Sequence, residues 1–356
     1  MRFINNLKSN HIFINLLATI LAIIAGLLFG FIILFISNPE YAFTAFFTII
    51  RGCLFSDISS FSRFIYFATP IIMTGLSVGF AFKTGLFNIG ASGQFTLGAY
   101  IAIFIGVKWD FLPSSVHWLV AIIFAGIAGA LWACIPAILK AFFNVNEVIS
   151  SIMANYICMS LVNLLVTQNI YNSSKNQSLE VLSTAVIPSL GIPNSNINYS
   201  VFIVLFCVIF SYIILNKTTL GFELKACGQN PNAVLYAGIN SKKAILLSFI
   251  ISGAFAGIGG ALAYLYGTGK FLQVIDAISP EGFNGIAVAL FGQSNPFGIL
   301  LAGLFIANLE LGGSSLQLYG YSQEIIDIII SAIIYFGAFS LLIKDNIISY
   351  INKSKN

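Results

Sequence analysis

Polar positions in this chain come in clumps, separated by apolar runs long enough to cross a bilayer. A helix spans the hydrocarbon core in about 20 apolar residues. Runs of that kind cover 12–36, 64–82, 85–106, 115–139, 148–167, 200–215, 244–266 and 325–343. The uncharged stretch 282–309 is longer and is broken near Gln293-Ser294-Asn295-Pro296. It reads as a short descending segment followed by an ascending helix. The pattern predicts an all-α polytopic membrane protein of about ten segments, some short or broken, forming one transmembrane domain over residues 1–356.

Two regions interrupt the rhythm. Residues 40–58, with Tyr41, Phe43, Phe46, Phe47 and Arg51, have the make-up of an amphipathic segment lying on the outer interface. Residues 168–199 are rich in Asn and Ser and hold Pro188 and Pro193, which predicts a loop. The first run follows Arg2 and Lys8, is too long for a signal-peptide core, and has no small-residue cleavage site after it. It reads as a retained anchor.

Composition agrees with the pattern. Hydrophobic residues make up 58% of the 356 residues and charged residues 8%. Soluble domains carry about 25% charged residues, so a water-facing surface could not be covered and lipid must be the main solvent. The cations then orient the chain. With both termini on the inner side, that side receives Arg2, Lys8, Lys83, Lys140, Lys217, Lys225, Lys242, Lys243, Lys344, Lys353 and Lys355. The outer side receives Arg51, Arg63, Lys108, Lys175 and Lys270. That excess matches the positive-inside rule. The loop 168–199 is then an outer loop and 217–243 an inner, cytoplasmic one.

The spans hold almost no ionisable side chains, which argues against an ion-coupled carrier working alone. The cysteines Cys53, Cys134, Cys158, Cys207 and Cys227 are scattered as apolar fillers, without metal-site or disulfide spacing. His11 and His117 are isolated. No G-x-x-x-x-G-K-[ST] phosphate loop, catalytic triad, carboxylate pair or metal cluster is present. The chain is therefore read as a non-enzyme with no cofactor of its own and no nucleic-acid partner.

Two apolar segments are interrupted by glycines and carry amides. One holds Gly85, Gly90, Gly93 and Gly98 with Asn88 and Gln94; the other holds Gly282, Gly285, Gly292 and Gly298 with Asn284 and Gln293. Broken backbone at membrane depth is tolerated only where protein buries it or where it lines a cavity. Paired broken segments point to a transport path. For the glycines, close helix packing is the stronger reading. For the amides, path lining and bonding between helices both stand. Asn155, inside the span that Asn146 and Glu147 begin, is a further path candidate. Glu147 favours the helix start through the macrodipole. Asp276 and Glu281 are two acids in an outer loop, where solvation is the ordinary state and docking of a partner the other reading.

The most informative soluble stretch between spans is Lys217–Lys243, KTTLGFELKACGQNPNAVLYAGINSKK. Asn230 and Pro231 form a cap and first-turn pair, and Gly238 supplies a stop. They predict a two-turn helix, 231–237, which is marginal in water unless it packs on something. Ala233 and Ala237 leave room for a partner, and Lys225 flanks the segment. Mechanical coupling to a cytoplasmic subunit and simple contact of the lysines with anionic lipid are both open on the residues alone.

Thr218–Ile239 resembles the coupling loop of bacterial ATP-driven importer permeases for branched-chain amino acids, simple sugars and nucleosides. The helix Ile251–Leu262, ISGAFAGIGGAL, resembles the one that follows it there. Where that family usually has Arg, this chain has Lys225. The stretches GLSVGFAFKTGLFNIGASGQFTLGAY, NEVISSIMANY and GFNGIAVALFGQSNPFG are most similar to the nucleoside branch, and the resemblance covers about residues 60–340.

The resemblance implies a multi-pass permease of the inner membrane that translocates nucleosides. Simple sugars and branched-chain amino acids are the alternatives. It also implies two cytoplasmic ATP-binding cassette subunits, a second permease and an extracytoplasmic binding protein, with Lys225, Asn230, Pro231, Ala233, Ala237 and Gly238 at the ATPase contact. ATP would be bound by the partner subunit.

Overall fold

The computed structural model describes residues 11–52, 57–193, 195–230, 234, 236–339 and 343. The described residues are all-helical apart from one two-stranded hairpin. In order, the helices are α1 (His11–Ser37), α2 (Ala42–Arg51), α3 (Ile58–Lys83), α4 (Ala91–Lys108), α5 (Ser114–Phe143) and α6 (Glu147–Asn169). After the hairpin β1 (Tyr171–Asn172) and β2 (Gln177–Ser178) come α7 (Ser200–Lys217), α8 (Thr219–Gln229), α9 (Ser241–Tyr264), α10 (Glu281–Phe291), α11 (Pro296–Ser314) and α12 (Gln323–Ala338). Among the described residues, 7 helices are long and apolar enough to cross a membrane. The other predicted segments are α4, α10 and α12. The latter two have 11 and 16 residues, and α4 starts at Ala91 instead of 85, because 84–90 is non-helical.

The fold divides into two compact units, 1–56 with 305–356 and 57–304. In the first, α12 packs along α1, with Leu34, Ile49, Ile326, Ile329 and Ile333 in its core. Helix α2 buries Ala42, Ala45 and Ile49 and exposes Phe43, Phe47 and Ile50, the two-faced make-up expected for 40–58. Cys53 lies outside the described residues. Asn308 closes the end of α2 by donating from Nδ2 to the Ile50 carbonyl at 3.1 Å. The Tyr321 hydroxyl donates to the Asn38 carbonyl at 2.9 Å, tying the α1 end to the turn before α12.

The second unit is organised round α3 and α9. Within α3, 83% of the most apolar window is buried, against 33% for α5, α6 and α7; it is the central helix and they form the rim. Their outward side chains, Leu131, Ile157, Phe206 and others, are apolar and exposed. Helix α9 packs against α3, α4 and α5. Its small residues allow this: a β-carbon on Gly257 would stand 2.3 Å from the Ala125 carbonyl oxygen, and one on Gly260 2.2 Å from that of Phe95. Lipid gives helices no hydrophobic reason to associate, so close backbone approach and hydrogen bonds between helices must supply it.

Among the described residues, 171–193 and 195–199 hold the hairpin, a 3-10 turn at Ser183–Ala185 and bridges Gln177–Gln273 and Ser189–Asn198. His117 is fully buried beneath them; one ring nitrogen lies 3.1 Å from the Ile105 carbonyl and the other 3.1 Å from the Thr184 hydroxyl.

Candidate functional site

Both glycine-broken segments start a helix in the interior of the second unit. The stretch 84–90 leaves the end of α3, turns at Gly85 (φ +75) and leads into α4. Asn88, on that stretch, donates from Nδ2 to the Ser252 hydroxyl at 2.7 Å. Ser252 is 11 residues into α9, about 16 Å from its start at the helical rise of about 1.5 Å per residue. The next element is fixed at similar depth: the Gly93 amide donates to Asn155 Oδ1 at 2.9 Å, and Asn155 Nδ2 donates to the Ile89 carbonyl at 3.0 Å. Asn155 lies eight residues into α6, about 12 Å from its start. Helix α4 therefore begins deep in the bundle.

Helix α10 begins beside it. A β-carbon on Gly282 would stand 2.3 Å from the Ser92 amide nitrogen, and one on Gly285 2.6 Å from the Thr74 carbonyl carbon. The non-helical stretch 265–280 thus arrives from one end of the bundle and 84–90 from the other, and the N-termini of α4 and α10 meet between them. Discontinuous helices meeting near the midplane are the architecture of a transport site. The α10–α11 break falls at Gln293 and Ser294, both in the left-handed region (φ 51 and 53).

The amides at the junction are bonded among themselves. Asn88 and Gln94 are fully buried and pair reciprocally: Asn88 Nδ2 donates to Gln94 Oε1 at 2.8 Å, and Gln94 Nε2 to Asn88 Oδ1 at 3.0 Å. Ser77 and Ser252 hydroxyls lie 3.0 Å apart, and the Ser252 hydroxyl donates to the Ser77 carbonyl at 2.7 Å. The Thr84 and Ser248 hydroxyls bond nearer the α9 start. In this conformation Asn88, Gln94 and Asn155 hold the broken segment to α3, α6 and α9. Asn284 and Gln293 are half-buried.

The loop 217–243 carries a helix that its sequence did not announce, α8. Thr218 caps it, accepting on its hydroxyl from the Gly221 amide at 3.1 Å. The predicted helix 231–237 falls largely on Pro231, Asn232, Ala233 and Leu235, which lie outside the described residues. Val234 and Tyr236 are helical; Ala237 and Gly238 form the turn, with Gly238 at φ +76. Asn230 ends α8, and its carbonyl accepts from the Val234 amide at 3.3 Å. Lys225 Nζ lies 3.5 Å from Asn216 Oδ1. Helix α8 presses on the broken segment through Gly228, whose β-carbon would stand 2.5 Å from the Thr84 carbonyl carbon. A cavity of about 160 Å³ beside this contact is lined by Leu86, Lys140, Glu147, Leu224 and Cys227. Lys140 and Glu147 pair across it at 2.9 Å. Burial, with the Glu223 carboxylate adding, pushes the Cys227 thiol above its ordinary range.

A larger cavity, about 280 Å³, opens beside the junction. Its walls are Phe95 and Thr96 of α4, Met159 and Asn163 of α6, Tyr264 of α9, residues of the irregular stretch 271–280, and Glu281 at the start of α10. None of its polar side chains was singled out by sequence reasoning as part of a path. The available signal was spacing: Tyr156, Ser160, Asn163 and Thr167 recur at helical intervals along one side of α6.

The family described as branched-chain amino acid transport system / permease component matches residues 60–338. The chain belongs to this permease family. As a permease component it is a multi-pass transport subunit of the cell membrane and not an enzyme. The permease is 37% identical over 335 residues to the guanosine ABC transporter permease protein NupP of Bacillus subtilis, covering 93% of this chain and 95% of that one. It is 34% identical over 342 residues to the nucleoside ABC transporter permease protein NupB of Lactococcus lactis, covering 92% of each. The glucose ABC transporter permease protein TsgB13 of Haloferax volcanii is 33% identical over 282 residues, 76% of this chain and 73% of that one. No solved structure matches.

Proposed function

We propose that this chain is the membrane-spanning subunit of an ATP-driven importer that carries nucleosides inward. The observation that carries this reading is similarity over nearly the full length of two permeases whose names state guanosine and nucleosides as cargo. The same reading includes about ten membrane segments with both termini inside, supported by the distribution of Lys and Arg. One of two cytoplasmic ATPases docks on the loop 217–243, with Lys225, Asn230, Pro231, Ala233, Ala237 and Gly238 at the contact. A second permease completes the path, in which Asn88, Gln94, Asn155, Asn284 and Gln293 gate or line the way. An extracytoplasmic binding protein delivers cargo to the opposite end, where a groove of about 920 Å³ presents Arg63 and Lys270.

The cycle follows from these parts. ATP-driven closure of the cytoplasmic subunits pushes α8 and the turn at Ala237–Gly238. The close contact of Gly228 with Thr84–Gly85 passes that displacement to the broken segment. The segment moves with the hydrogen bonds that tie it to α9 and α6, and access alternates at the junction of α4 and α10.

The test is uptake of radiolabelled nucleosides into vesicles carrying this chain with its ATPase, partner permease and binding protein. ATP-dependent accumulation is expected. Uptake driven by a proton or sodium gradient without ATP would overturn the importer reading. ATP-dependent uptake of a sugar and of no nucleoside would replace only the cargo.

A further inference from the structure

Two independent features converge on the cavity beside the α4–α10 junction. The first is the cavity's chemistry. Its lining includes three aromatic rings, Phe95, Tyr264 and Phe271, and the polar side chains Thr96, Asn163, Gln273, Ser279 and Glu281. The Glu281 carboxylate takes part in no ion pair among the described residues. It accepts from the Ser279 hydroxyl, which leaves much of its lone-pair capacity free. A position at the start of α10 accounts for a favourable charge there through the macrodipole, but not for a cavity beside it that carries both aromatic rings and polar side chains.

The second feature is on α6. Tyr156, Ser160, Asn163 and Thr167 stand at i, i+4, i+7 and i+11, one side of the helix. Tyr156 is 52% exposed, and Ser160 and Thr167 are exposed. Asn163 leads this stripe into the cavity, donating from Nδ2 to the Ile275 carbonyl at 2.9 Å and to Asp276 at 3.3 Å. Beside it, Ile275, Asp276 and Ala277 are exposed on backbone that is not helical. Neither irregular backbone nor a polar stripe belongs against lipid hydrocarbon; both are tolerated where they face a water-filled cavity.

We propose that the cavity and the α6 stripe form the outer vestibule of the path, and that Glu281 accepts hydrogen bonds from the ribose hydroxyls of a passing nucleoside. The base lies toward Phe95, Tyr264 and Phe271, and Asn163 holds the 275–276 backbone in place to complete the pocket. A carboxylate suits a sugar diol, as in dinucleotide sites where an acid binds the ribose hydroxyl. The cavity volume lies near the lower end, about 300 Å³, of small-molecule sites, consistent with one nucleoside in transit. This inference rests on the nucleoside reading above.

The experiment compares ATP-driven uptake of guanosine and of 2′,3′-dideoxyguanosine by the full importer, with wild type and Glu281→Gln. A charge-assisted hydrogen bond lost during transit lowers the maximal guanosine rate about tenfold, while the half-saturating concentration holds and the dideoxy rate is nearly unchanged. Equal losses for both substrates, or no loss for either, overturn the sugar contact. If wild type imports no nucleoside at all, the nucleoside reading itself falls and the sugar contact falls with it.

A second arm is independent of cargo. Ser160→Cys and Thr167→Cys are exposed to a membrane-impermeant charged thiosulfonate, with Phe206→Cys as the lipid-facing control. Labelling of both and not of the control is expected. Both labelling no faster than the control overturns the vestibule.

Discussion

Gly228, on the loop helix α8, lies backbone to backbone against Gly85: a β-carbon on Gly85 would stand 2.3 Å from the Gly228 Cα. Gly85 is also at φ +75, so only glycine combines that turn with that proximity. Two rigid pieces of backbone in direct contact transmit displacement without slack.

The variant Gly228→Ala tests this contact. Its methyl would meet Thr84 backbone at 2.5 Å, which a flexible side chain cannot relieve. Such overpacking costs about 1–3 kcal/mol. We expect the protein to insert and melt at a lower temperature in detergent, with ATP-driven uptake reduced at least tenfold and ATPase binding retained. Full uptake would show that coupling does not pass through this contact.

The reciprocal pair Asn88–Gln94 gives a stability prediction. Asn88→Ala leaves the Gln94 amide buried and short of partners, a loss of about 1–3 kcal/mol. The double variant Asn88→Ala with Gln94→Ala is expected to lose less than the sum of the single losses, because the second change removes the orphaned partner. Thermal unfolding of the four proteins measures the coupling; strict additivity would contradict the pairing.

Cys227 gives a pH prediction. The thiolate is the reactive form, and burial followed by the Glu223 carboxylate raises this thiol above its ordinary range. Maleimide labelling of Cys227 in a variant without other cysteines is therefore slow at neutral pH and still accelerating above pH of about 8.5, where an ordinary thiol is half ionised. Glu223→Gln moves the midpoint down. A rate already at its plateau near pH 8 would refute the assignment.

In the first unit, Tyr321→Phe removes the hydroxyl that reaches the Asn38 carbonyl at 2.9 Å and the Leu34 carbonyl at 3.3 Å. Tyr321 is buried, so water cannot replace the bond. A loss of about 1 kcal/mol is expected, read as a lower melting temperature with uptake preserved.

Helix positions were legible because the lipid requirement acts on every residue of a span. The runs 148–167 and 200–215 appear as Glu147–Asn169 and Ser200–Lys217, since charge and Asn mark the ends of an apolar helix. The break in 282–309 was legible from Gln293-Ser294-Asn295-Pro296 for the same reason. Helix α8 was not: Thr219–Gln229 holds two glycines and has little apolar periodicity, and it is stabilised by Thr218 capping and by packing of Leu224 and Cys227. The start of α4 was misplaced because 85–90 is as apolar as a helix would be. Its non-helical course is held by Asn88 reaching Ser252, a partner 164 residues away.

The sequence by itself determined the solvent, the class and the family: apolar runs, scarce charges and local motifs are properties of neighbouring residues and survive without coordinates. Which amides tie helices together and which polar groups face open space was decided only by tertiary structure. Asn88 and Asn163 have the same side chain in similar apolar surroundings. One is sealed by Gln94 and Ser252 where close glycine packing brings α9 onto α4, while the other edges a cavity beside the irregular stretch 271–280, to which it donates at Ile275.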